Sequence, residues 1–155
     1  MSLEPGAKAP DFDLPTDGGA NASLEALKGR TVVFYFYPKD DTTGCTNEAK
    51  GFSDAKSEFD KAGALVIGCS KDTIASHAKF RAKYGLTIAL ASDVEGKIVE
   101  AYDSWIEKSM YGRKYMGIDR STFLIDGQGV LRRVWRKVKV PGHVQEVLKA
   151  VQDLG

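Results

Sequence analysis

Two stretches of this chain, Thr31-Val-Val-Phe-Tyr-Phe-Tyr37 and Ala64-Leu-Val-Ile-Gly-Cys-Ser70, are apolar at almost every position. A strand with one wet face alternates, so a run without alternation predicts a strand covered on both faces. Between them, Phe52, Ala55 and Phe59 stand at helical spacing and Gly63 ends the segment, which predicts one helix over residues 45–62. Strand, helix, strand in that order demands a crossover, hence parallel pairing with helices packed on the sheet.

The remaining segments extend the pattern. Phe12 and Leu14 predict a short edge strand, and Ser23 to Gly29 a capped helical turn. Asp72 or Thr73 caps a helix running to about Tyr84, with Gly85 as its stop, and residues 87–92 form a third apolar strand. A short helix follows near Lys97 to Tyr102, and residues 103–120 read as irregular. Residues 122–125 and 130–135 form a hairpin across Asp126-Gly-Gln-Gly129, and Val144, Val147, Leu148, Val151 and Leu154 give the last helix one apolar stripe. The expectation is a single α/β domain over residues 1–155.

Composition narrows the function classes. A net charge of +1 predicts no general attraction to nucleic acid or anionic membrane. No apolar run approaches the ~18 residues of a membrane span, and the N-terminus lacks a secretory core, so a cytoplasmic protein is expected. Two cysteines, Cys45 and Cys69, are too few for a disulfide framework, and His77 and His143 have no metal-site spacing. The histidines are expected on a helix surface and in a first helical turn. The basic run Arg132 to Lys139 reads as a charge-protected edge strand rather than a nucleic-acid site.

Cys45 is the residue with chemistry to offer. A strand ends at Pro38, a short polar loop follows, and the cysteine stands where a helix begins. Only the thiolate is a nucleophile, and a helix N-terminus with its unpaired N–H groups favours that form. Cys45 is followed by Thr46, Asn47 and Glu48, so no Cys-x-x-Cys dithiol exists and a disulfide oxidoreductase is disfavoured.

The spacing Pro38-x3-Thr42-x2-Cys45 resembles the signature of the peroxiredoxins. Ala9–Leu14, Tyr35–Thr42 with Gly44–Thr46, Val66–Gly68 with Ser70–Asp72, Glu107–Gly112 and Tyr115–Asp126 resemble their bacterioferritin-comigratory or Q-type branch, in chain order along nearly the whole length. The resemblance implies a thioredoxin-like mixed sheet with flanking helices and an N-terminal β extension, with which the element order is compatible. It implies a thiol-dependent peroxidase reducing hydrogen peroxide and organic hydroperoxides through a sulfenic acid on Cys45, with no metal, haem or flavin cofactor.

By the same resemblance, Arg120 holds the thiolate and the peroxide, Thr42 contributes a hydroxyl, and Pro38 shields the sulfur. The Gly44 and Cys45 N–H groups bind oxygen, and Glu48 orients the arginine. Glu48 also fits a first-turn acid placed by the helix dipole. The resolving cysteine of many relatives, five residues beyond the first, is replaced by Lys50, which implies one-cysteine behaviour. The reductant is then an external thiol: thioredoxin, glutaredoxin with glutathione, or another small thiol. A monomer is expected. Cys69 reads as core filler, with an atypical resolving role as the alternative; Trp105, Tyr111 and Tyr115 either line an entry or docking surface or pack under a loop. A non-catalytic redox-sensing or interaction module on the same fold is the rival reading.

Overall fold

The computed structural model describes residues 3–154; residues 1, 2 and 155, also spanned by the expected single domain, lie outside the described residues. In chain order the elements are β1 (Asp13–Leu14), β2 (Ala22–Ser23), β3 (Thr31–Phe36), α1 (Thr43–Asp54), α2 (Lys56–Lys61), β4 (Ala64–Ser70) and α3 (Ile74–Tyr84). Then come β5 (Ala89–Ser92), α4 (Lys97–Ala101), β6 (Trp105–Met110), β7 (Arg113–Ile118), β8 (Ser121–Ile125), β9 (Leu131–Trp135) and α5 (His143–Leu154). The central sheet has the order β5-β4-β3-β8-β9. β3, β4 and β5 run parallel, as the crossover argument requires, while β8 joins β3 and β9 joins β8 antiparallel.

Alternation along β3 divides the interior in two. Val33 and Tyr35, with Tyr37 beyond the strand, face Cys45, Ala49 and Phe52 of α1 and Val147 of α5. Val32, Phe34 and Phe36 face Ile67 and Cys69 of β4, with Phe12, Tyr102 and Ile118. The short β1–β2 pair is the N-terminal β extension.

Two segments differ from expectation. The predicted helix over 45–62 is broken at Ala55 (φ −91°, ψ 4°) into α1 and α2. Thr87 supplies the reason, because its hydroxyl donates to the Ser53 carbonyl (3.3 Å) and its N–H to the Ser53 hydroxyl (3.1 Å), drawing that carbonyl out of the helical ladder. The stretch 103–120 is not irregular: β6 and β7 pair from Trp105 opposite Ile118 to Met110 opposite Arg113. Tyr111 and Gly112 make the two-residue turn at φ 52° and 77°, the positive values that suit the twist of a tight hairpin. Among the described residues, no helix is long and apolar enough to cross a membrane.

Candidate active site

The site is set by the way β3 hands the chain to α1. After Tyr37 and Pro38 the chain turns through Asp41, held at φ 61°, and reaches Thr42, extended at φ −97°, ψ 157°. Thr42 is the N-cap: its carbonyl accepts the Thr46 N–H at 2.8 Å, and its side chain makes no capping bond. The first N–H groups of a helix have no intrahelical partner, and Cys45 is the third residue of α1. Cys45 thus stands in the turn that carries those open N–H groups.

Cys45 is 1% exposed. Arg120, between β7 and β8, donates from Nη2 to its sulfur at 3.3 Å and from Nη1 to Glu48 Oε1 at 2.7 Å. Glu48 lies one turn beyond Cys45 on the same face of α1. Gly44 makes room for the guanidinium: a Cβ there would stand 3.1 Å from Nη2. Asp119 and Arg120 are tethered by the Asp119 N–H to the Ser104 carbonyl (2.7 Å) and by the Val138 N–H to the Arg120 carbonyl (2.9 Å).

The charges are unevenly settled. Burial works against the Arg120 charge, but Glu48 and Cys45 outweigh it and hold its pKa above the ordinary value. Burial pushes the Glu48 carboxyl up to about 7 against the opposing pull of Arg120. Among the described residues, its second oxygen, Oε2, has no hydrogen-bond partner, and neither has the buried Tyr35 hydroxyl. Burial and then the charges of Glu48 and Cys45 raise Tyr35 well above its usual range, so it stays neutral.

Among the residues singled out from sequence, Cys45, Arg120 and Glu48 are brought together. Pro38 is half-buried at the start of the loop. Thr42 is exposed, and its hydroxyl donates to the Lys39 carbonyl at 2.9 Å. Cys69 is fully buried, paired with Phe36 in the opposite core from Cys45. Burial, with Asp93 adding to it, raises its thiol well above the ordinary value. Lys50 is exposed on α1. Trp105 lies under Lys71, whose Nζ is 4.3 Å from the ring centroid, while Tyr111 and Tyr115 are exposed on the hairpin. The basic run begins on the edge strand β9, where Arg132 reaches Asp126 (3.4 Å) and Arg133 lies over Trp135 (4.6 Å).

His77 corrects the sequence reading. It is wholly buried instead of lying on a helix surface, and it contacts Asp40 of the loop (2.8 Å) and the Ala91 carbonyl (2.9 Å). Asp40 was not singled out from sequence, yet it also accepts from the Tyr37 hydroxyl (2.6 Å) and the Ser76 hydroxyl (2.8 Å). The available signal was the position of His77 three residues before Phe80 on the inner face of α3. His143 is in the first turn of α5 as expected, buried, with Nε2 2.8 Å from the Thr122 hydroxyl.

This arrangement suits a buried nucleophilic sulfur that attacks a small electrophile while one guanidinium and the open N–H groups of a helix receive the charge that develops. The AhpC/TSA family model matches residues 5–134. The chain is 53% identical to the bcp peroxiredoxin of Coxiella burnetii, over 96% of this chain and 98% of that one. It is 47% identical to peroxiredoxin Bcp of Bacillus subtilis, over 99% and 98% respectively. Among solved structures, the bacterioferritin comigratory protein of Xanthomonas campestris, described for its alkyl peroxide reduction activity, superposes with a TM-score of 0.89 at 42% identity, over 99% of this chain and 98% of that one.

Proposed function

This chain belongs to the AhpC/TSA family, in its Bcp or Q-type peroxiredoxin branch, and is a thiol-dependent peroxidase; we propose that Cys45 is the sulfur that reacts and that it works without a second cysteine of the same chain. The carrying observation is the forked contact of Arg120, with one nitrogen on the Cys45 sulfur and the other on Glu48.

The Cys45 thiolate attacks the terminal oxygen of the hydroperoxide. An S–O bond forms as the O–O bond breaks, and the electron pair leaves on hydroxide or alkoxide, which takes up a proton as water or alcohol. Sulfur is oxidised by two electrons to the sulfenic acid. Arg120 and the first N–H groups of α1 stabilise the negative charge as it moves from sulfur to the leaving oxygen. Thr42 has its proton committed to Lys39, so its hydroxyl acts as an acceptor for the peroxide O–H. Pro38 shapes the loop, and Glu48 aims the guanidinium. Hydrogen peroxide and small organic hydroperoxides are the substrates; the alkyl peroxide activity of the Xanthomonas relative supports the second class.

Regeneration falls to an external thiol, thioredoxin or glutaredoxin with glutathione. One thiol condenses with the sulfenic acid to a mixed disulfide and water, and a second releases Cys45. Two observations favour this over a Cys45–Cys69 disulfide. The cysteines belong to cores on opposite sides of the sheet, and Lys50 stands at the position where the family resemblance places a resolving thiol. The protein acts as a single domain and a monomer in the cytoplasm.

Stopped-flow oxidation by hydrogen peroxide tests the assignment. Cys45→Ser abolishes consumption and Cys69→Ser leaves it unchanged; wild-type rates in Cys45→Ser overturn the proposal. Mass analysis of oxidised protein shows sulfenic or higher oxides on Cys45, and an abundant intrachain disulfide contradicts the one-cysteine reading.

A further inference from the structure

The loop between β3 and α1 fixes where Cys45 stands, and besides its own bonds from Thr42 to Lys39 and from Tyr37 to Asp40 it is docked on α3 and the turn before it. Three contacts gather at Asp40. Its N–H donates to Asp72 Oδ2 (2.8 Å), Ser76 donates to its Oδ2 (2.8 Å), and His77 Nδ1 lies 2.8 Å from the same oxygen. Farther along α3, Lys83 Nζ and the Tyr84 hydroxyl reach the next residue, Asp41, whose left-handed backbone a non-glycine residue adopts only at a cost.

The contacts of the His77 ring bear on its charge state. Nε2 faces the Ala91 carbonyl, which only accepts, so Nε2 carries a proton. Nδ1 faces the Asp40 carboxyl, which accepts from Tyr37 and Ser76 as well. A neutral ring would set a lone pair against that carboxyl at 2.8 Å, and the Tyr37 and Ser76 hydroxyls already donating to it favour its ionised form, so the contacts favour a proton on both nitrogens.

We propose that His77 is a positioning residue for the peroxidase reaction: as a buried imidazolium it pins Asp40, and through Asp40 the Pro38–Thr42 loop that sets the first turn of α1 and Cys45. The proposal rests on the assignment of Cys45 as the reacting sulfur. Facing the ring are Asp40 from the loop, Tyr37 after β3, Asp72 after β4 and the Ala91 carbonyl of β5. Burial draws the imidazolium down, but the Asp40 bond and charge, the carbonyl and Asp72 outweigh it and hold its pKa above the ordinary value. The pin is therefore closed below that raised value and opens as pH rises through it.

The test is the rate of Cys45 oxidation by hydrogen peroxide from pH 5.5 to 10, read beside the imidazole 15N shifts. The chain has two histidines, and burial, with Arg120 adding to it, drives His143 down to about 4, so the two rings titrate apart. In wild type, His77 is doubly protonated at pH 7, and the rate falls at high pH with the midpoint of its titration. In His77→Gln, which keeps a donor for Ala91 but no charge for Asp40, the rate at pH 7 is about tenfold lower and the alkaline fall is absent. A neutral His77 ring at pH 7, a wild-type rate with no break where His77 titrates, or a slowed His77→Gln that keeps the wild-type break each overturns the proposal. Should His77→Gln not fold, the two wild-type measurements decide. Cys45→Ser in the same assay separates the readings: retained activity there removes the assignment of Cys45, whereas with that control inactive the results bear on His77 alone.

Discussion

Arg120 serves two anions at once, and its planar fork divides the work, with Nη1 to Glu48 and Nη2 to the Cys45 sulfur. Arg120→Ala removes the donor from the developing charge and should lower the rate of peroxide reaction about 10²-fold, a typical loss for one such donor. Stopped-flow oxidation at fixed pH measures this, and Arg120→Lys, with a point charge in place of a fork, should recover only part. Gly44→Ala is a subtler check on the same contact, because its Cβ would press within 3.1 Å of Nη2. The guanidinium then shifts by a few tenths of an ångström, and slower oxidation with an unchanged melting temperature is the expected result. Cys45 was legible in the sequence from its polar loop at a helix start, whereas Arg120 and Glu48 were reached only through the family resemblance, since Arg120 stands 75 residues from the sulfur it contacts. His77 was only half legible: its spacing to Phe80 marks the inner face of α3, but its partner Asp40 lies in a loop 37 residues earlier, which no pattern on the helix announces.

The strands were readable for a physical reason: β3 and β4 are covered on both faces and so carry unbroken apolar runs. The β6–β7 hairpin was not, since Glu107, Ser109, Met110 and Tyr111 through Met116 are exposed, and a ribbon buried only at its base needs no apolar alternation toward its tip. The break at Ala55 escaped for a related reason, as Thr87 causes it from a distant part of the chain. Register supplies a prediction at this scale. Tyr35 on β3 is paired with Gly68 on β4, and its ring lies across the glycine, so a Cβ there would come within 2.8 Å of the Tyr35 ring and hydroxyl. Tyr35 is fully buried between Tyr37 and Phe52 and has no free direction in which to yield. Gly68→Ala should therefore cost about 1–3 kcal/mol, the usual penalty of overpacking. Urea denaturation reads the loss; wild-type stability would mean that the strands part more easily than their packing implies.

At the scale of the whole molecule, the buried ionisable groups make stability depend on pH in opposing directions. The folded-state pKa of His143 is depressed to about 4, so its contribution is present above its unfolded value near 6.5 and is lost as pH falls toward 4. Glu48 acts the other way. Its folded-state pKa is raised from 4.5 to about 7, so the folded chain keeps a proton that the unfolded chain releases. The resulting stability is complete below about pH 4.5 and is lost as pH rises to 7. The orphaned Oε2 agrees with this sign, because a carboxylate with a bare buried oxygen is poorly solvated. Replacing the acid by its amide isolates the effect. Glu48→Gln should match wild type near pH 4.5 and exceed it at pH 7 by an amount on the order of 3 kcal/mol. Its peroxide reaction should slow at the same time, because Arg120 loses the charge that aims it. Urea unfolding of both proteins across this range measures the difference, and one that stays flat with pH would show that Glu48 is already ionised in the fold at pH 4.5. The sign matters for function: as pH rises through about 7 the carboxyl that holds Arg120 against Cys45 ionises at the expense of the fold around it.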